Sequence, residues 1–262
     1  GESIYINPKH PDNAIQEAAV SYGLGMQTGI QLPFEQDGYM PTPQKRKERH
    51  EENPKIFPNG KWYPGDNVNI SVGQGDVLVT PLQLANAYAT FANGGTNFAP
   101  NIVTYVFDRN GEMLKEFGQR VRKEIEIDLD FRNRVLRGLV GVTEDIEGTA
   151  YWAFNSVATD GAFFPLENFP TAAKTGTAEV RGKADSSLFA AVTPAQDPNY
   201  VMVAMLEEAG FGSAVAAPMS ARVLQKVVED RVPEALTTEN RYAVSASLPL
   251  CIDWYIWRES DS

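Results

Sequence analysis

The stretch Pro170-Thr171-Ala172-Ala173-Lys174-Thr175-Gly176-Thr177-Ala178-Glu179 sets one lysine and two hydroxyls around a single glycine, ahead of two further runs of strand-forming residues. In an extended chain, successive side chains face opposite ways. Lys174 and Gly176 then share one face and Thr175 and Thr177 the other, unless a bulge intervenes. Gly176 removes a side chain where a ligand backbone could approach. A cation beside hydroxyls and exposed amides suits a carboxylate. The same residues also fit a short polar edge strand with a solvated lysine, so the surroundings must decide.

Downstream, Ser187 to Thr193 and Tyr200 to Glu207 read as strands, the second apolar enough to be central in a sheet. The polar links Arg181 to Asp185 and Pro194 to Pro198 are short, which predicts an antiparallel meander. Gly210-Phe211-Gly212-Ser213 turns the chain. Pro218 is then expected to open a helix with Met219, Val223 and Val227 on one side. From Pro233 the sequence is less regular, and Trp254, Tyr255 and Trp257 are expected to pack onto the body.

Upstream, Asp12 or Asn13 can cap a helix carrying Ile15, Ala18, Ala19 and Tyr22 on one face, with Gly23 as its stop. Gly23 to Pro33 reads as a structured loop. Residues 36–65 carry prolines, glycines and charges without an apolar period, and read as an exposed excursion. Its basic run, Lys45-Arg46-Lys47 with Arg49, is offset by Glu48, Glu51 and Glu52 and reads as solvated. Thr80-Pro81-Leu82-Gln83 is a strong helix start, combining an N-cap, a first-turn proline and a capping-box glutamine. Leu84, Tyr88 and Phe91 should form its packed face, and Asn93-Gly94-Gly95 its stop. Gly73-Gln74-Gly75 lacks dinucleotide-loop spacing. Ile102 to Phe107 and Glu112 to Phe117 flank the hairpin signal Asp108-Arg109-Asn110-Gly111. Asp128 can cap the next helix, with Phe131, Val135, Leu139 and Val142 inward and Arg132, Arg134 and Arg137 in solvent. Gly148-Thr149-Ala150 breaks that pattern. The aromatics Trp152, Phe154, Phe163 and Phe164 of the following connection are assigned to core or cleft wall.

The chain has 262 residues, 43% of them hydrophobic, enough for a proper core in one large domain or two small ones. Its net charge of −11 excludes a broad phosphate-neutralising surface, and with it general nucleic-acid binding. Cys251 is the single cysteine, so no internal disulfide forms. With His10 and His50 as the only histidines, neither a soft-ligand zinc site nor a histidine-based triad is expected. Counting alone leaves a carboxylate site for a hard cation open. No run reaches the ~20 apolar residues that span a bilayer, and no signal peptide is visible. A chain opening at Gly1 is expected to be a processed product or an expressed fragment.

Several of these pieces recur together. Tyr22-Gly23-Leu24-Gly25 with Thr28-Gly29-Ile30, Gly73-Gln74-Gly75, Thr80-Pro81-Leu82-Gln83-Leu84-Ala85 and Asn93-Gly94-Gly95 precede Lys174-Thr175-Gly176-Thr177-Ala178-Glu179. Gly210-Phe211-Gly212-Ser213-Ala214-Val215-Ala216-Ala217-Pro218 follows. In this order, from about Asn13 to Glu229, the sequence resembles a class B penicillin-binding protein. Each motif is weak alone, but together they are specific.

The resemblance implies an α+β fold, an antiparallel sheet flanked by helices like that of penicillin-binding transpeptidases and β-lactamases. It implies a serine-type D,D-transpeptidase that cross-links peptidoglycan and is acylated by β-lactams, with no cofactor. Three motifs normally meet in such a cleft: Ser-x-x-Lys, Ser-x-Asn and Lys-Thr-Gly. Only the third stands here, since no serine has a lysine three residues later or an asparagine two residues later. Residues 1–236 are therefore expected to be the C-terminal part of the domain, with 237–262 an extension. The isolated chain should be inactive, completed by an upstream fragment carrying the two other motifs. By resemblance, Lys174 and Thr177 are catalytic, and Thr175, Gly176 and Thr177 bind the D-Ala-D-Ala stem peptide. The whole would be anchored in the cell membrane by an upstream helix, with the catalytic domain on the extracytoplasmic side. A non-catalytic penicillin-recognising module is the alternative from another class. A β-lactamase-type hydrolase is the third, disfavoured by Gly73-Gln74-Gly75 and its capped helix.

Overall fold

The computed structural model describes residues 13–156, 163–180 and 182–229, and divides into two compact units, Gly1–Asn133 and Arg134–Ser262. The first holds helices α1 (Ala14–Ser21), α2 (Pro43–Glu52), α3 (Pro64–Ser71) and α4 (Pro81–Ala92), and strands β1 (Thr96–Ala99), β2 (Tyr105–Phe107), β3 (Met113–Glu116) and β4 (Arg120–Glu124). Helix α5 (Leu129–Glu144) runs from it into the second, which holds α6 (Tyr151–Asn155), β5 (Ala172–Ala178), β6 (Ser186–Thr193), β7 (Tyr200–Leu206) and α7 (Ala216–Glu229). Antiparallel sheets and helices in both units make this the expected α+β class.

In the first unit α4 starts as its sequence requires. Thr80 Oγ1 accepts from the Gln83 amide and Gln83 Oε1 from the Thr80 amide, each at 3.1 Å. The packed face differs from expectation, however. Leu84, Tyr88 and Phe91 are only half-buried, whereas Gln83, Asn86, Ala87 and Thr90 are buried. The surrounding loops explain this, because Gln83 Nε2 donates to the carbonyls of Met26 and Asp37, both at 2.8 Å. Asn97, also buried, donates to Thr90 Oγ1 at 2.9 Å. A buried backbone carbonyl needs a donor, and this helix face supplies them.

The excursion is not irregular. Helix α2 lies within it, capped by Thr42 Oγ1, which accepts from the Lys45 amide at 3.1 Å. Nor is its basic run merely solvated. Arg46 pairs with Asp66 at 2.7 Å and Asp76 at 3.0 Å while lying 5.1 Å over the Trp62 ring. Arg49 sits 4.5 Å from the Tyr39 ring and 4.0 Å from that of Phe57. A helix this rich in charge has no apolar stripe, and its arginine stems and planar heads do the packing instead.

Other expectations in this unit need adjustment. On α1 the fully buried residue is Gln16, bonded to Asn67 at 3.4 Å, while Ala18 of the expected face is exposed. Asn13 holds the N-cap position without a side-chain cap, and Gly23 ends the helix at φ +91°. Asp12 lies outside the described residues. Strands β2 and β3 form the expected hairpin, closed by Asp108 Oδ1 accepting from the amides of Asn110 and Glu112 at 2.8 Å. The β1–β4 ladder was not anticipated. Asp128 caps α5 at 2.8 Å, but Phe131 is exposed and Leu136 is the buried apolar residue. Arg132 donates to the carbonyls of Phe91 and Ala92 rather than to solvent, covering the end of α4.

The second unit is the expected meander, in the order β5-β6-β7 with both ladders antiparallel. Among the described strands β7 pairs with β6 alone. Alanines 173, 191 and 204 on the sheet meet Ala217, Ala221, Leu224 and Val228 of α7. This buried stripe corrects the expected one. Met219 and Val227 are each 37% exposed, and the helix opens at Ala216, before Pro218. Small residues on both sides let helix and sheet approach closely, so Ala217 and Ala221 join Leu224 and Val228 inward in place of Met219 and Val227. Phe154 fills the end of this core, edge-on to Phe164 at 4.9 Å and tilted to Phe189 at 5.9 Å, while Trp152 and Phe163 are exposed. The tail with Trp254, Tyr255 and Trp257 lies outside the described residues.

Two consequences can be measured in the intact protein. Gln83→Leu strands the Met26 and Asp37 carbonyls and should cost about 2 kcal/mol or more in urea unfolding. Glu35 accepts from the Thr28 hydroxyl, the Thr28 amide at 2.6 Å and the Gly29 amide at 3.1 Å. Burial pushes its carboxyl up, but those hydrogen bonds, with Arg122 nearby, outweigh it and hold the pKa below the usual value. A depressed folded pKa contributes stability above the unfolded pKa and loses it as pH falls through the folded one. Glu35→Gln should therefore cost about 1 kcal/mol at neutral pH, and the gap to wild type should close on acidification. A gap constant with pH would contradict this.

Candidate active site

Strand β5 changes character along its length. Ala172 and Ala173 are fully buried, Lys174 is exposed, and Thr175 to Ala178 are half-buried. The buried start is pinned by a threonine network with no exposed member. Thr143 Oγ1 donates to the Thr171 carbonyl at 2.7 Å, and Thr171 Oγ1 to Thr193 Oγ1 at 3.1 Å. The remainder runs on along the strand, which among the described strands pairs with β6 alone. Its register pairs Lys174 with Ala190, Thr175 with Phe189, Gly176 with Leu188 and Thr177 with Ser187.

All four sequence-expected residues, Lys174, Thr175, Gly176 and Thr177, therefore fall on this open edge. By strand alternation Thr175 and Thr177 share the face of buried Ala173, and Lys174 and Gly176 take the other. Lys174 Nζ donates to the Thr175 carbonyl at 2.7 Å, and none of the ion pairs among the described residues involves it. An ammonium has three donors, so two remain for a ligand. Among the described residues no group of three or more histidines, cysteines, aspartates or glutamates could hold a metal ion.

The glycine loop after β7 meets this strand. Gly210 N donates to the Asp185 carbonyl at 2.8 Å, and Ser187 Oγ donates to the Phe211 carbonyl while accepting from the Ala216 amide, both at 3.0 Å. Gly212 is thereby held against the strands. A Cβ there would lie 2.3 Å from the Gly176 carbonyl oxygen and 2.4 Å from that of Leu188. Its amide reaches Thr177 Oγ1 at 3.4 Å. Two motifs 35 residues apart in sequence thus share one site.

Thr149, read in the sequence only as part of a helix break, also belongs here. Its Oγ1 is 2.8 Å from Thr175 Oγ1. The signal that could have found it is its setting, a hydroxyl between Gly148 and Ala150, two residues small enough to be wedged in place. Together, an ammonium, three threonine hydroxyls and an open strand edge suit an extended, carboxylate-bearing peptide.

Comparisons with known proteins agree on one family. The family model described as the penicillin binding protein transpeptidase domain matches residues 5–225. The chain is 26% identical over 233 residues to peptidoglycan D,D-transpeptidase MrdA of Haemophilus influenzae, covering 81% of this chain and 32% of that protein. It is 27% identical over 213 residues to MrdA of Escherichia coli K12, covering 76% and 31%. The chain thus spans about a third of the length of these curated relatives. The crystal structure of PBP2 of Pseudomonas aeruginosa in complex with WCK 5153 superposes with a TM-score of 0.67 at 25% identity, covering 87% of this chain and 46% of that one.

The brace at Gly212 can be tested by one methyl group. Gly212→Ala must displace β5 or the loop, and in denaturant unfolding of the intact protein should cost about 1–3 kcal/mol. Ser213→Ala, at an exposed neighbour, should be near neutral. Equal stability of the two variants would rule the brace out.

Proposed function

The chain belongs to the penicillin-binding protein transpeptidase domain family, and from that premise we propose that it forms the Lys-Thr-Gly wall of a peptidoglycan D,D-transpeptidase. The observation that carries this reading is the convergence of Lys174, Thr175 and Thr177 on an open strand edge braced by Gly212. Relatives bearing the name D,D-transpeptidase support it.

In this reading the nucleophilic serine comes from a segment outside these 262 residues, since no Ser-x-x-Lys or Ser-x-Asn occurs within them. Lys174 gives its positive charge to the terminal carboxylate of the D-Ala-D-Ala stem and to the hydroxyl of the second motif. Thr175 and Thr177 hydrogen-bond that carboxylate. Gly176 leaves room for the donor peptide to lie along β5 as an added strand. The Thr177 amide is half of an oxyanion hole, and such a preorganised donor is worth about 3 to 4 kcal/mol. The serine oxygen attacks the penultimate D-alanine carbonyl and D-alanine departs with a proton. The amine of a neighbouring stem then takes the acyl group and restores the serine. A β-lactam enters at the first step and stops there as an ester. Neither step draws on a cofactor.

The same segment would close the sheet. Among the described strands β7 pairs with β6 alone, and a strand from the nucleophile-bearing part would pair along its other side. Residues 237–262 form an extension beyond the domain. An anchor outside this sequence would hold the protein in the cell membrane, with the site on the extracytoplasmic side. Among the described residues no helix is long and apolar enough to cross a membrane.

The test is labelling of the intact protein with a fluorescent penicillin, followed by fragmentation and denaturing separation. Label should sit on a segment outside this chain, and Lys174→Ala should slow labelling about 100-fold or more. Label on residues 1–262 would overturn the account of the nucleophile. An unlabelled wild type would overturn the penicillin-recognising reading altogether.

A further inference from the structure

Thr149 lies in none of the three motifs that carry the proposed chemistry, yet it touches one of their hydroxyls. Its backbone has little freedom. Gly148 is wedged against the end of α5, where a Cβ would stand 2.4 Å from the Gly141 carbonyl oxygen and 2.6 Å from that of Val142. The Gly148 amide donates to the Asp145 carbonyl at 2.7 Å, and the Ala150 amide to the Val142 carbonyl at 3.0 Å. Ala150 itself is 1% exposed. A β-branched side chain on a backbone fixed at both flanks has few rotamers to choose from. The one it takes sets Oγ1 2.8 Å from Thr175 Oγ1.

The direction of that bond matters to a carboxylate. An ionised carboxylate only accepts, so a Thr175 hydroxyl that binds one must give it its single proton. The Thr175 oxygen is then left to accept, and among the described residues Thr149 brings a hydroxyl into range. We infer that Thr149 is a positioning residue for carboxylate recognition. It donates to Thr175 Oγ1 and so turns the Thr175 proton toward the carboxylate of the peptide or β-lactam. This rests on the functional reading above, in which Thr175 meets that carboxylate. Thr149 is exposed, so water competes for the pair in the empty site. A seated ligand excludes that water, and the two hydrogen bonds then polarise each other.

The test uses the intact protein, nucleophile-bearing segment included, with Thr149→Val and Thr149→Ser. Second-order acylation rates are measured with benzylpenicillin and with its methyl ester, which has no ionised carboxylate. Valine keeps the shape and loses the hydroxyl. It should slow acylation by the free acid about tenfold, the scale of one hydrogen bond serving a charged group, and leave the ester rate within about twofold of wild type. Serine should restore the free-acid rate. Equal slowing of acid and ester would show a merely structural role and overturn the inference, as would no slowing at all or failure of serine to rescue. A wild type that reacts with neither compound would instead overturn the functional reading, so the two failures are distinguishable.

Discussion

Strand β5 is buried core at its start and sheet edge further on, and the second unit is arranged around that constraint. Ala173 packs in one core with α7, Ala172 beside it is also buried, and a buried threonine network ties this start down. At the next residue the same strand turns a lysine to solvent. Any looseness in the packed half would reach the exposed half directly, because a strand is stiff over so short a span. The glycine loop at Gly212 and the hydroxyl of Thr149 add two more points of support, both on the exposed half.

The first unit is secured differently. Its long connections are rich in glycine and charge, and their carbonyls turn inward. Gln83 answers two of them, Glu35 answers inward-turned amides, and Arg46 joins two aspartates while covering Trp62. Hydrogen-bond matching orders these connections. Such interiors tolerate little substitution, since each lost partner leaves a buried group unpaired.

Local signals in the sequence were legible. The capping box at Thr80 and Gln83, the hairpin at Asp108 and the three-strand meander appear where their residues place them. That Lys174 to Thr177 lie on one strand was legible too, because the motif's residue types are few and adjacent. What escaped depends on partners distant in the chain. Whether α4 buries Leu84 or Gln83 is decided by loops that present carbonyls, and whether α7 buries Met219 or Ala221 by how close the sheet can come. Helix α2 escaped because it has no apolar stripe, although Thr42-Pro43 repeats the Thr80-Pro81 start. Thr149 escaped because a single hydroxyl has no pattern, and only the fold brings it beside Thr175.

The double duty of β5 also couples occupancy to cohesion. On the proposed function, a ligand lying along its edge would extend the same sheet that packs against α7, and binding there would strengthen the folded state as a whole. By mass action a ligand at a hundred times its dissociation constant adds about 2.7 kcal/mol to the folded state. Substrate supply would then act as a thermodynamic brace on the domain. A protein starved of its peptide would be more easily unfolded than one at work.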